Sequence, residues 1–305
     1  MKTNNPSHEE STFWLNLANN WRPSPVESYS SIHTTSEKMY HDAEASMQKR
    51  IDTMKKSLPP LEKTHDKEYP RSNRYFDTMA EQEVAKFLDK YLYPRITSNT
   101  PFAFQRETER DKQLEGIDVT LTILRINNNS KIYIDEKAAV HYINSPLSSF
   151  AFECSFDRYE NDIPIHTTGW FSNEKLLTDI YLLIYISIDE RIAPPQKGNN
   201  EYYKTLDAAD ITCAHCLFIS RNNLKIYLTR HGFGYYEIKE AIQKIRNGVS
   251  TDKLTSPNER FHFHYSTNLK EKPINIILDK SLLEELSPWI IDVRPSGNTI
   301  LKGAK

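Results

Sequence analysis

The 305 residues are 38% hydrophobic and 26% charged, and 39 basic against 41 acidic side chains leave a net charge of −2. That balance belongs to a folded globular chain with room for one large domain or two small ones. It excludes a disordered segment, a fibre and a uniformly basic nucleic-acid coat. With only 8 glycines, the chain holds no G-x-x-x-x-G-K-S/T phosphate loop, no G-x-S-x-G elbow, no H-E-x-x-H pair and no EF-hand loop. Gly232-Phe233-Gly234 lacks the third glycine of a dinucleotide fingerprint.

The opening Met1–Glu10 has no apolar stretch, so no secretory signal is expected. The longest apolar run, Ile180–Ile186, falls far short of the roughly 20 residues of a membrane span. Three cysteines (Cys154, Cys213 and Cys216) are too few for a disulfide scaffold and fit a reducing compartment. A cytoplasmic protein with no membrane partner is the expectation.

Residues 1–70 are polar and carry Pro23, Pro25, Pro59 and Pro60. Met39, Ala43, Met47, Ile51 and Met54 recur at three- and four-residue steps, which predicts one helix over Ser36–Leu58, ended by Pro59-Pro60. This region reads as an N-terminal polar, helical arm, and residues 71–305 as the main domain. Within that domain Ala80, Val84, Phe87, Leu88 and Tyr91 predict an amphipathic helix ending before Pro94. Strands are predicted at Phe102–Gln105, Ile117–Ile126, Lys131–Lys137, Ser149–Phe156, Thr178–Ile188 and Ile211–Ser220. Leu224–Thr229 is expected to pair with the last of these through Arg221-Asn222-Asn223. Tyr236–Arg246 reads as helix, Arg260–Ser266 and Ile274–Leu278 as extended, and Ser281–Leu286 as helix. The order predicts an α/β or α+β domain.

The segment that carries chemistry runs from Gln113-Leu114-Glu115-Gly116-Ile117-Asp118, through a hairpin turned by Asn127-Asn128-Asn129-Ser130, to Ile132-Tyr133-Ile134-Asp135-Glu136-Lys137. Alternation along a strand puts Asp135 and Lys137 on one face and Glu136 on the other. If Ile126 faces Lys131 across the turn, Asp118 faces Ala139 and shares the face of Asp135 and Lys137. That register leaves Asp118 four positions beyond Asp135, a gap that a twist or a bulge must close. Two carboxylates and an ammonium at a sheet end suit phosphodiester hydrolysis. Hard oxygen ligands hold Mg²⁺, and a lysine offsets charge growing on the phosphate. The bland alternative is a cross-strand ion pair between Asp118 and Lys137.

This arrangement resembles the PD-(D/E)XK nuclease superfamily, over roughly residues 77–156. The resemblance matches the family's first acidic position to Asp118, with Ile117 in place of the usual proline, and its acidic-x-Lys to Asp135 and Lys137. It implies a restriction-endonuclease-like core, a mixed β-sheet flanked by helices. It implies a Mg²⁺-dependent DNA endonuclease, with Mn²⁺ able to substitute, RNA a less frequent substrate, and restriction or phage defence as the setting. Asp118, Asp135 and Lys137 take the catalytic roles, and Glu136→Ala is expected largely to spare cleavage. The helix glutamate of some members matches Glu81, beside the apolar stripe, better than Glu83, which lies further round. Glu153 on the next strand is an auxiliary metal ligand beside Asp118 and Asp135. Gln113 sits where some members carry a glutamine. Read from the residues alone, Arg106, Arg110 and Lys112 are candidate phosphate contacts, or, interleaved with Glu107, Glu109 and Asp111, a plain solvated loop. Trp170 is a candidate base-stacking contact, or an aromatic anchor pinning its loop to the core. A homo-oligomer or a regulatory partner protein fits the same likeness. The alternative function is a non-catalytic nucleic-acid or partner-binding module on a degenerate nuclease fold.

Two other motifs compete. Cys213-x-x-Cys216 with His215, and His262-Phe263-His264 later, raise the question of zinc, but a strand over 211–220 turns the two cysteines to opposite faces. Thr229-Arg230-His231-Gly232 resembles the phosphohistidine motif of histidine phosphatases, against a plain turn closed by Gly232.

Overall fold

The computed structural model describes residues 74–98, 100–124, 130–254 and 260–303. The helical pattern read in 36–58, the arm 1–70 and the asparagines Asn127–Asn129 lie outside the described residues. Helix α1 (Arg74–Tyr91) buries the stripe its sequence shows, Ala80, Val84, Phe87 and Leu88, at helical spacing. The chain breaks at Leu92 and restarts as α2 (Tyr93–Thr97), with Pro94 in the first turn, where a missing N–H costs no helical bond.

An antiparallel meander follows: β1 (Phe102–Arg106), a single turn α3 (Arg110–Leu114), β2 (Val119–Ile123) and β3 (Ser130–Ala138). The chain then makes a hairpin of β4 (Ser149–Glu160) and β5 (Ile163–Thr168) before returning as β6 (Ile180–Ile188), parallel to β3. A parallel pair needs a long crossover, and here strands rather than a helix supply it. β7 (Ile211–Ser220), α4 (Arg221–Arg230), α5 (Tyr235–Arg246), β8 (Phe261–Tyr265), β9 (Ile274–Asp279), α6 (Lys280–Leu286), β10 (Trp289–Val293) and β11 (Thr299–Lys302) complete the described order.

The result is a mixed α/β architecture: a seven-stranded mixed sheet, β1-β2-β3-β6-β7-β10-β11, and a four-stranded sheet, β5-β4-β9-β8. β6 shows why the layers stack as they do. Ile180, Leu182, Ile184 and Ile186 enter a core shared with α1 and α2, while Tyr181 and Leu183 enter a second core shared with the four-stranded sheet and α4–α6. An unbroken apolar run is what a strand buried on both faces requires. No described helix is long and apolar enough to cross a membrane.

Three expectations need correction. Leu224–Thr229 is not a strand: Ser220 caps a helix by accepting the Asn223 amide, and Leu224 and Leu228, four apart, are its buried face. Strands β5, β10 and β11 were not anticipated. The register of β2 on β3 also differs, Ile123 pairing with Ser130 and Thr122 with Lys131. The β2–β3 ladder is thus displaced by four residues from the one the asparagine turn implied. The slip is an even one, so every side chain keeps its face.

Candidate active site

That four-residue slip closes the gap left by the sequence register. The regular ladder ends at Val119 opposite Ile134, and one step further Asp118 stands beside Asp135. Asp118 is held by three hydrogen bonds. Its amide donates to the Ile134 carbonyl at 2.9 Å, and its carbonyl accepts the Glu107 amide at 2.8 Å. Its carboxylate Oδ2 accepts the Glu136 amide at 2.7 Å. Because Ile134 is already the partner of Val119, the ladder is irregular there, as strand starts near functional sites often are. Gly116 makes the approach possible. It sits at φ +76° with its carbonyl accepting the Thr178 hydroxyl, and a Cβ there would fall 2.5 Å from Thr178 Oγ1.

Asp135 is 2% exposed. Its Oδ1 accepts from Lys137 Nζ, and its Oδ2 is buried without a hydrogen-bond partner. The ion pair of this site therefore runs along β3, not across to Asp118. Burial pushes the Asp135 carboxyl up to about 7, with Lys137 opposing the rise and the neighbouring Asp118 adding to it. For Lys137 burial works downward, but the charges of Asp135, Asp118 and Glu81 outweigh it, and the ammonium is held protonated.

Glu81 reaches this group from α1. The residue keeps contact with solvent, yet desolvation around its carboxyl raises its pKa, against Lys137 and with Asp118 and Asp77. Glu83 is occupied elsewhere, accepting from Lys86 and from the Ala208 amide. One turn before Glu81, Asp77 pairs with His141 at 3.0 Å, and both act on the Glu81 carboxyl. His141 follows β3 closely in the chain, but no motif marked it. Asp77 could have been found from its four-residue spacing to Glu81 on one helix face.

Glu153 lies on β4, in the other sheet; its carbonyl accepts the Phe171 amide and its charge acts on Cys154. Among the described residues no group of three His, Cys, Asp or Glu is gathered to hold one ion. The donors nevertheless fit a hard cation: a carboxyl oxygen, Asp135 Oδ2, is buried without a hydrogen-bond partner beside a second carboxyl group.

Glu136 points to the opposite face, as alternation requires, and into a buried network. Arg106 donates to it at 2.5 and 3.2 Å, and Tyr93 donates its hydroxyl at 2.5 Å. Arg106 also grips Asp89. With both partners fixed and its side chain 20% exposed, the Arg106 charge is already neutralised, which argues against a phosphate contact. Lys112 pairs with Glu115 at 2.8 Å, while Arg110 and Gln113 are on the α3 surface, Gln113 near enough to Glu107 to donate to its carbonyl at 3.4 Å. Trp170 packs among Phe152, Phe171 and Tyr181.

The competing motifs settle simply. Cys216 is buried in β7 while Cys213 is half-buried. His262 and His264 are exposed alternate positions of β8. His231 ends α4, its ring nitrogen on the Tyr227 carbonyl, and Gly232 at φ +79° turns the chain into α5.

No protein-family model matches the chain, and no curated protein matches it. Among solved structures, the restriction endonuclease BglI bound to its DNA recognition sequence is similar at 9% identity and a TM-score of 0.32, over 94% of this chain and 90% of that one. A likeness of that degree carries no functional argument, which falls to the site itself.

Proposed function

We propose that this chain is a metal-dependent endonuclease of the PD-(D/E)XK type that hydrolyses phosphodiester bonds in DNA, acting in restriction or phage defence. The observation that carries the reading is the meeting of Asp118, Asp135 and Lys137 at the ends of β2 and β3, with one buried carboxylate oxygen unpartnered. Asp118 and Asp135 would hold Mg²⁺, or Mn²⁺ in its place, with Glu81, whose carboxyl interacts with Asp118 and Lys137, and Glu153 as helpers. A divalent ion there supplies Lewis acidity toward a phosphodiester oxygen.

The chain's own residues do the rest. Lys137 has three N–H donors and commits one to Asp135, which leaves two for a phosphate oxygen or the attacking water. Asp135, with its pKa near neutrality, would give up its proton as the cation binds. The Glu136 amide holds one oxygen of the Asp118 carboxylate, which would leave the other for the cation. A second reading, a binding module with this fold and no turnover, is favoured by one feature: no third protein ligand joins the two aspartates among the described residues.

Incubation with supercoiled, linear and single-stranded DNA and with RNA, in Mg²⁺, Mn²⁺ or EDTA, separates the two. Cleavage in Mg²⁺ or Mn²⁺ that stops in EDTA and in Lys137→Ala supports the nuclease. Binding without cleavage under every metal condition supports the module, and cleavage confined to RNA overturns the DNA assignment.

A further inference from the structure

Lysine is a flexible point charge, and a lysine that acts on a phosphate must be aimed. Lys137 has Asp135 on one side. On the other, its Nζ lies 5.2 Å from the centre of the Trp170 ring, within the range at which an aromatic face attracts a cation. The ring is itself fixed. Its centroid stands 5.2 Å from that of Tyr181, the residue paired with Asp135 across β3 and β6, and 5.3 Å from that of Phe152 on β4.

The backbone around it is pinned as well. The Gly169 amide donates to the Cys154 carbonyl and the Phe171 amide to the Glu153 carbonyl, both at 2.9 Å. A Cβ on Gly169 would lie 2.3 Å from the Glu153 carbonyl oxygen, so only glycine lets the segment lie this close to β4. Trp170 therefore faces the ammonium with a packed ring rather than a mobile one, and the packing leaves little freedom to swing out and stack on a base.

We propose that Trp170 is a positioning residue for Lys137, holding the ammonium by its π face so that the donors not used by Asp135 point at the reacting phosphate. The inference rests on the nuclease reading above. It assigns the second sheet a part in catalysis, because the segment carrying Trp170 is anchored on β4.

The test compares Trp170→Phe, which keeps an aromatic face, with Trp170→Leu, which removes it; Trp170→Met replaces the latter if leucine prevents folding. Under the proposal the leucine variant loses about tenfold in kcat at nearly constant KM, while phenylalanine stays within about threefold of wild type, the scale of one desolvated cation–π contact. Unchanged kcat in the leucine variant overturns the proposal, as does a loss confined to KM, which marks a substrate-stacking role.

A second measurement does not depend on cleavage. In protein with ¹³C-methylated lysines, the Lys137 signal, identified by its absence in Lys137→Arg, should be shifted upfield by the Trp170 ring and lose that shift in the leucine variant. A wild type that cleaves DNA without the shift defeats the positioning role and leaves the nuclease standing. A wild type that shows the shift but never cleaves defeats the nuclease reading, and with it the role, though the contact remains.

Discussion

At Asp135 two demands conflict. The carboxyl is almost fully buried, which favours the neutral acid, yet it contacts an ammonium, which favours the anion. Burial wins, and the pKa rises from 3.8 to about 7. The folded chain then keeps a proton that the unfolded chain has lost between those values, so the group's contribution to stability is largest below pH 3.8 and declines as pH rises through that window. Asp135→Asn, a neutral isostere, should gain on wild type across the same interval by up to a few kcal/mol, on the order that such a shift implies. Urea denaturation in EDTA at about pH 4.5 and about pH 7.5 reads this directly. A difference between the two proteins that does not change with pH would show that Asp135 ionises normally.

Glu136 makes the opposite point. Alternation correctly turns it away from the face of Asp118, Asp135 and Lys137, but a position off that face is not a position without consequence. Its carboxylate holds Arg106 and the Tyr93 hydroxyl beneath α1 and α2. Glu136→Ala leaves a buried guanidinium with Asp89 alone, at an expected cost of about 3 kcal/mol, because removing one partner of a buried pair strands the other. A shift in the urea midpoint checks it, and a midpoint equal to wild type would mean that Asp89 suffices.

Among the elements, the turn from α3 into β2 decides whether Asp118 arrives. Gly116 takes a left-handed conformation there and packs against Thr178. Gly116→Ala combines φ strain with a collision and should cost about 1–3 kcal/mol, measured by urea denaturation. Its cleavage rate should fall further than its stability alone explains, because Asp118 is two residues on. Unchanged stability and rate would show that the turn relaxes freely.

The same hairpin shows what a sequence can and cannot say. Period-2 alternation fixed the faces of Asp118, Asp135 and Lys137, since any even slip preserves them. The four-residue slip itself was not legible, because every even register satisfies the same alternation. Helix α4 was misread for a related reason. Its buried pair, Leu224 and Leu228, is interrupted by Ile226 and Tyr227, which gives a short run that suits strand and helix alike until the Ser220 cap is recognised.

Across the whole molecule, the site depends on pieces far apart in the chain. Asp118 and Asp135 come from the meander, Glu81 from the helix packed on one face of the large sheet, and Trp170 from the segment after β5, anchored on β4 of the sheet packed on the other. The local acidic-x-Lys signature was readable because it lies within one strand. The network of Arg106, and the pairing of Asp77 with His141, required tertiary neighbours that no spacing reveals. The central claim is that Asp118, Asp135 and Lys137 form one hydrolytic centre. It is tested most directly by the single-turnover cleavage rate of supercoiled DNA in Mg²⁺ for Asp118→Asn and Asp135→Asn, beside Asp292→Asn, whose carboxylate serves His215 on β7 instead. Each of the first two substitutions should lower the rate by at least about a hundredfold, the scale of losing a directly acting group, while Asp292→Asn cleaves at the wild-type rate; equal rates in all three would contradict the account.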